Sequence, residues 1–343
     1  MRVAIASAVA GDAEAIARAL EFAPRHTLSW RAASVDDACR LCAADPPDVL
    51  LMDLFAPPCG AAEATRRIMA STPCAILLLA TNVGTYASEV FEAMGHGALD
   101  AVDMPRPGAP ASRVNAAAFL LKLDEINSRL GERPPGDVLR SEVPMRKAQA
   151  ANTLVAIGAS AGGPAAIRTV LAALPRDFRA AVVIVQHLDQ RFAPGMVEWL
   201  GEYSALPVRM AREGDVPEAG VALLAGTNDH LVFKGSARLG YSPLPAECVY
   251  RPSVDVFFQS IMRLWQGRGI GVLLTGMGRD GALGLKGLRD KGYYTIAQDL
   301  ASSAVYGMPK AAIGLGAAIE TLAAVRIAAR LVELVDDDRQ WRK

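Results

Sequence analysis

The sequence predicts an α/β protein built as two successive parallel-sheet domains. Three observations carry this. Short buried runs alternate with segments of helical spacing, once in each half. A polar stretch rich in Pro and charge, Gly131–Ala150, lacks any period and separates the halves. The length, 343 residues, is about twice that of an ordinary domain.

In the first half, Arg2–Ser7 is an apolar run that reads as a first β-strand. Its A-x-A at Ala8–Ala10 mimics a signal peptide, but the run is short and has hardly an n-region. Asp12–Phe22 has helical spacing, with Ala15, Ile16, Ala19 and Leu20 on one face. Thr27–Ala32 follows as a strand, then a helix near Val35–Ala44 and a buried strand Val49–Met52 ending at Asp53. A helix near Ala61–Met69, a strand Ala75–Ala80, a helix Ser88–His96, a short strand Ala101–Asp103 and a closing helix Ala111–Arg129 complete the half. Such βα alternation implies a parallel sheet with helices on both faces.

The second half restarts with strand Thr153–Ala159 and helix Gly163–Leu174, whose Pro164 suits a first turn. Ala181–Gln186 is strongly β-branched, and Pro194–Tyr203 is helical. Val208–Ser242 holds short strands between Gly and Pro turns. Ser253–Leu264 is amphipathic, with Val256, Phe257, Ile261 and Leu264 on one stripe. Gly269–Leu274 is a buried strand running into TGMGRDG, and Tyr293–Ala297 is the next. Helices near Ala304–Ala312 and Leu322–Val335 close the chain.

Composition narrows the function. At 52% hydrophobic and 21% charged residues, the chain reads as a soluble globular protein with ample core. Lys+Arg and Asp+Glu are both 36, so no basic excess points to nucleic acid or an anionic membrane. No run reaches the roughly 18 apolar residues of a membrane span. The five cysteines are odd in number and unevenly spread, which fits a reducing cytoplasm better than a disulfide framework. Cys39 and Cys42 form a CxxC in a helical pattern with no second ligand pair, so they read as small buried residues and no metal site is expected.

Chemistry in parallel sheets collects where loops leave the carboxyl ends of strands. Three such loops each carry one member of a nucleophilic triad. VAIGASAGGP sets Ser160 just past its strand, among Gly158, Gly162 and Gly163. The following helix turns its N–H groups toward that loop, which suits an oxyanion or a phosphate equally. The dinucleotide fingerprint G-x-G-x-x-G is not met, whereas Gly158–Gly162 fits G-x-S-x-G. VVIVQHLD ends its strand at His187, one of only four histidines. LLTGMGRDGA carries Asp280 among Gly276, Gly278 and Gly281. A carboxylate there orients the imidazole, which takes the Ser160 proton as Oγ attacks a carbonyl. Oxyanion donors are expected from the backbone of Ala161, Gly162 and Gly163, or near Met277. The order Ser…His…Asp differs from that of α/β-hydrolases, chymotrypsin-like and subtilisin-like enzymes.

Taken together, IGASAGGP, IVQHLD, YRPSVDVFF, LLTGMGRDGA and IAQDLASSAVYGMPKAA resemble the CheB family of chemotaxis protein-glutamate methylesterases. The resemblance spans Thr153–Val335 and puts that family's triad on Ser160, His187 and Asp280. It implies hydrolysis of glutamate methyl esters on the cytoplasmic helices of chemoreceptors, with release of methanol, and in many members deamidation of receptor glutamines. It implies no cofactor for catalysis. It further implies a flavodoxin-like receiver domain over residues 1–125 with a five-stranded parallel sheet, a linker over 126–150, and a doubly wound catalytic domain over 151–340.

PDVLLMDLFAPPCG places Asp53 at the receiver's phosphoacceptor position, served in the family by a chemotaxis histidine kinase. TRRIMASTPCAI and FEAMGHGALD look closest to the Wsp-type branch, which adjusts a surface-sensing receptor. The acidic pair that holds Mg²⁺ in receivers is replaced by Ser7 and Ala8, with Asp12 the nearest carboxylate. The late Lys-Pro reads Met104-Pro105, and Thr81 competes with Ala80 for the switch position. Asp53 alone is a poor site for Mg²⁺. The expectation is a degenerate receiver that covers the catalytic cleft or docks a partner. The alternative function is a non-catalytic regulatory module acting through that receiver.

Overall fold

The computed structural model describes residues 1–55, 58–81, 85–105, 112–130, 151–235 and 237–337. The chain divides into two compact units, Met1–Arg133 and Pro134–Lys343. The predicted linker segment Gly131–Ala150 lies outside the described residues.

The first unit runs β1 (Arg2–Ala6), α1 (Ala10–Glu21), β2 (Thr27–Ala32), α2 (Val35–Ala44), β3 (Val49–Asp53), α3 (Gly60–Ser71), β4 (Ala75–Ala80), α4 (Ala87–Gly95), β5 (Asp100–Asp103) and α5 (Ser112–Leu130). The strands form one sheet in the order β2-β1-β3-β4-β5, every neighbouring pair parallel. This is the flavodoxin-like order of receiver folds. The central strands β1, β3 and β4 are buried on both faces, which is why they read as unbroken apolar runs. Helix α1 buries Ala15, Ile16, Ala19 and Leu20, the face its spacing predicts. Ser34 caps α2 by accepting the Asp37 amide. Within α2, Cys42 is buried and Cys39 half-buried; all five cysteines are free thiols.

The second unit begins β6 (Thr153–Ala159), α6 (Gly163–Ala172), β7 (Ala181–Gln186), α7 (Ala193–Tyr203), β8 (Val208–Met210) and β9 (Ala222–Leu224). A hairpin of β10 (His230–Lys234) and β11 (Arg238–Ser242) follows, then α8 (Val254–Leu264) and β12 (Arg268–Leu273). The unit ends with α9 (Ala282–Asp290), β13 (Tyr294–Gln298), α10 (Met308–Gly314), β14 (Glu320–Leu322) and α11 (Ala324–Asp336). Seven parallel strands form the sheet, in the order β14-β13-β12-β6-β7-β9-β8. From the β12–β6 boundary the chain runs outward through β13 to β14 on one side; on the other it passes to β7, crosses to the edge at β8 and returns to β9. That boundary is the switch point outside which ligands bind in such sheets.

Three elements differ from the sequence reading. Helix α9 is not predicted, because Gly284 and Gly287 weaken its local propensity. Those glycines are needed by packing: a Cβ would lie 2.7 Å from the Phe258 Cβ and 2.4 Å from the Met262 Sδ, respectively. Helix α10 starts at Met308 rather than Ala304. Residue Val305 is drawn out of helical geometry by Thr275, whose hydroxyl accepts the Val305 N–H at 2.9 Å and donates to its carbonyl at 3.1 Å. The predicted start of the last helix at Leu322 belongs to β14, an edge strand paired with β13.

Candidate active site

Register brings the site together. Ala159 of β6 pairs with Gln186 of β7, and Gly158 pairs with Leu273 of β12. Ser160 and His187 are the next residues of two adjacent parallel strands. The loop 274–281 leaves β12 on the other side of β6. The His187 amide donates to the Ala159 carbonyl at 3.0 Å, and the Ser160 amide donates to the Thr275 carbonyl at 3.0 Å. Ser160, His187 and Asp280 are 5%, 6% and 6% exposed.

His187 and Asp280 meet directly, Nε2 lying 2.7 Å from Oδ2. Asp280 accepts three further hydrogen bonds: from the Ser253 hydroxyl at 2.8 Å, the Val254 amide at 2.6 Å and the Asp255 amide at 3.1 Å. Two of these amides open α8, so the carboxylate sits at a helix N-terminus, where negative charge is favoured. Burial works to raise the Asp280 pKa, but the His187 hydrogen bond and charge, with the donors from Val254 and Ser253, hold it below the ordinary carboxylate range. An ionised Asp280 can only accept, so Nε2 carries the proton and donates it to Oδ2. The lone pair of His187 then lies on Nδ1, which is buried and has no hydrogen-bond partner among the described residues, so the Ser160 hydroxyl is not hydrogen-bonded to it here. Tyr250 stacks on the imidazole, ring centroids 4.3 Å apart at 15°.

The glycines shape this pocket by close approach. A Cβ on Gly276 would lie 2.8 Å from the Ser160 Cβ and 2.2 Å from the Met308 Sδ. Gly162, at φ 74°, precedes α6 in the left-handed region that favours glycine. Of the four amides expected to donate to an oxyanion, that of Gly163 is taken by the Ser160 carbonyl at 2.8 Å. Those of Ala161, Gly162 and Met277 have no acceptor among the described residues.

A family model described as CheB methylesterase matches residues 155–331. Across the whole chain, 343 residues are 52% identical to protein-glutamate methylesterase/protein-glutamine glutaminase 4 of Burkholderia thailandensis, with 100% of both chains covered. The chain belongs to the CheB methylesterase family. A Pseudomonas syringae pv. syringae relative named protein-glutamate methylesterase/protein-glutamine glutaminase 2 is 51% identical over 334 residues, 97% of this chain and 99% of its own. The crystal structure of the Thermotoga maritima CheB methylesterase catalytic domain is 32% identical at a TM-score of 0.51, covering 53% of this chain and 97% of that one.

Several residues around the triad carry no assignment from sequence reasoning. Ser253 accepts the Val256 amide as the α8 cap while donating to Asp280. His230 receives the Ser253 amide on Nδ1 at 3.1 Å and contacts the Pro245 carbonyl through Nε2 at 3.0 Å. Burial, foremost, pushes its pKa down, so it stays neutral and holds that tautomer. Asp255 accepts the Gly284 amide at 2.6 Å and caps α9. Burial and the neighbouring Asp280 charge push its pKa up to about 8. The signal that marks Tyr250, Ser253 and Asp255 is their shared motif YRPSVDVFF, which precedes an apolar stripe at a capping serine.

Asp53 ends β3 in the first unit. Its Oδ2 accepts the Ser7 hydroxyl at 3.3 Å and its Oδ1 the Phe55 amide at 3.1 Å. The Mg²⁺ of receiver domains does not fit this arrangement. Such an ion wants several oxygen ligands in octahedral array, and here a serine hydroxyl binds the carboxylate where the first acidic ligand is expected. Lys122 is the sole lysine of residues 1–133. It pairs with Asp100 at 2.8 Å, largely buried.

Proposed function

We propose that this chain hydrolyses glutamyl methyl esters on the cytoplasmic helices of chemoreceptors, and deamidates receptor glutamines, with Ser160 as nucleophile, His187 as base and Asp280 as its orienting carboxylate. The observation that carries the reading is the His187–Asp280 hydrogen bond of 2.7 Å. It commits Nε2 to Asp280 and leaves Nδ1 as the basic nitrogen on the residue beside Ser160.

In this mechanism Nδ1 takes the Ser160 hydroxyl proton as Oγ bonds to the ester carbonyl carbon. The oxyanion receives backbone N–H bonds from among Ala161, Gly162 and Met277; losing one such donor costs about 10²- to 10³-fold in rate. The imidazolium, stabilised by ionised Asp280, returns its proton to the departing methoxide, and methanol leaves. Water then adds to the acyl-serine with His187 again as base, and the glutamate carboxylate departs with Ser160 restored. With a glutamine substrate the first leaving group is ammonia. No metal or cofactor enters these steps.

Methyl-accepting receptors follow from this chemistry as substrates; the receiver-like order of the first sheet supports the pathway's histidine kinase as a docking partner. No described helix is long and apolar enough to cross a membrane, and the free thiols support a cytoplasmic site. The receiver is proposed to regulate without a Mg²⁺-dependent phosphoaspartate. Methanol release from a methylated receptor fragment tests the main reading: wild type releases it and Ser160→Ala does not. Wild-type protein that binds the fragment and leaves its esters intact rejects the reading.

A further inference from the structure

Gln186 is the last residue of β7 and is 1% exposed. The five residues before it, AVVIV, are all apolar and buried. A buried amide at this place must find partners or destabilise the fold. Its Nε2 finds two: the main-chain carbonyl of Ser160 at 2.8 Å and that of His187 at 3.1 Å. Its Oε1 is buried and has none among the described residues. Exchanging the two amide atoms would set an oxygen against two carbonyl oxygens, so the donor assignment is fixed by chemistry. A Cβ on Gly163 would lie 2.1 Å from Oε1. Glycine at the start of α6 is therefore what lets the amide lie in this position.

One NH₂ group thus bridges the backbones of the two residues that exchange a proton. We infer that Gln186 is a positioning residue, setting the separation of Ser160 and His187 by holding both their carbonyls. Strand pairing alone ends one residue earlier, at Ala159 and Gln186. The last backbone hydrogen bond between the two strands is that of the His187 amide to the Ala159 carbonyl at 3.0 Å, and past it the side-chain amide ties the carbonyls of Ser160 and His187 to each other. The inference rests on the proposed roles of Ser160 and His187.

The test uses the full chain and a methylated receptor fragment. Gln186→Met keeps the length and removes both donors. Its kcat is expected to fall roughly 10- to 100-fold, the scale of a displacement near 1 Å between reacting groups, while KM stays within about threefold. Gln186→Glu supplies a second, internal measurement. Its neutral carboxyl donates one hydrogen bond, and its carboxylate donates none and repels both carbonyls. Burial raises the titration of that carboxyl, so its kcat relative to wild type should climb as pH is lowered from about 8.5 to about 6. A kcat equal to wild type in either variant, a loss confined to KM, or a pH-independent loss that tracks the unfolded fraction would overturn the inference. Ser160→Ala is the control for the underlying reading. If it retains activity, the triad assignment fails. If it is inactive while Gln186→Met is unimpaired, only the positioning role fails.

Discussion

Ser253 serves two elements with one hydroxyl: it caps α8 by accepting the Val256 amide and donates to Asp280 Oδ1 at 2.8 Å. The helix start and the triad carboxylate are thereby one structure. Replacing Ser253 with Ala should lower stability by about 1–3 kcal/mol, through a lost cap and the loss of one of the two donors on the buried Asp280 Oδ1, which keeps the Asp255 amide. It should also reduce kcat more than KM. Thermal unfolding beside steady-state kinetics checks both. A stability loss with unchanged kcat would confine Ser253 to the helix cap.

Asp280→Asn is expected to lower kcat roughly 10³- to 10⁴-fold with little change in KM, because an amide neither fixes the Nε2–H tautomer nor stabilises the imidazolium. Single-turnover measurement of acyl-serine formation separates this from slower product release. An effect below about tenfold would remove Asp280 from the mechanism.

Gly276→Ala places a methyl 2.8 Å from the Ser160 Cβ and 2.2 Å from the Met308 Sδ. Overpacking of this kind costs about 1–3 kcal/mol. Adding Met308→Ala relieves the sulfur contact alone. The double variant should regain stability and remain impaired in turnover, since Ser160 stays displaced. Recovery of both together would locate the damage in the α10 contact.

The two neighbouring carboxyls have opposite pH signatures. The Asp280 pKa lies below its unfolded value, so its contribution is present above the ordinary carboxylate pKa and lost as pH falls through the folded value. The Asp255 pKa is pushed up to about 8. Its contribution is full below the unfolded value near 4 and declines as pH rises toward the folded value. Asp255→Asn should therefore flatten a decline in stability between about pH 4 and about pH 8. Denaturant unfolding of both proteins across this range measures it, and parallel curves would contradict the shift.

In the first unit, Ser7 bonds Asp53 at 3.3 Å and Lys122 is engaged by Asp100. Acetyl phosphate with Mg²⁺ should leave the mass of the intact protein unchanged under conditions that label an ordinary receiver. A mass increase of one phosphoryl group, lost in Asp53→Asn, would restore conventional activation.

Much of the frame was legible in order of appearance along the chain. The unbroken apolar runs at β3, β4, β6 and β7 mark fully buried parallel strands; Ser160 and His187 directly follow two of them, and Asp280 lies in the loop after β12. Helix α9 was not legible, since its glycines lower local propensity and are explained only by the α8 side chains they meet. The same holds for the extended segment before α10, where Thr275 overrides the apolar pattern of Ala304–Ala312.

The sequence by itself determined the two βα units and the three loops that carry Ser160, His187 and Asp280, because burial period and glycine placement are local properties. It also determined that no acidic pair follows β1, which is a matter of residue identity at Ser7 and Ala8. Only the tertiary structure decided that His187 meets Asp280 through Nε2, which amides lack an acceptor among the described residues, and that Gln186 and Ser253 bond to Ser160, His187 and Asp280, with His230 behind Ser253. Those facts depend on hydrogen bonds between residues far apart in the chain. Each is settled by what the partner atom has left to donate or accept.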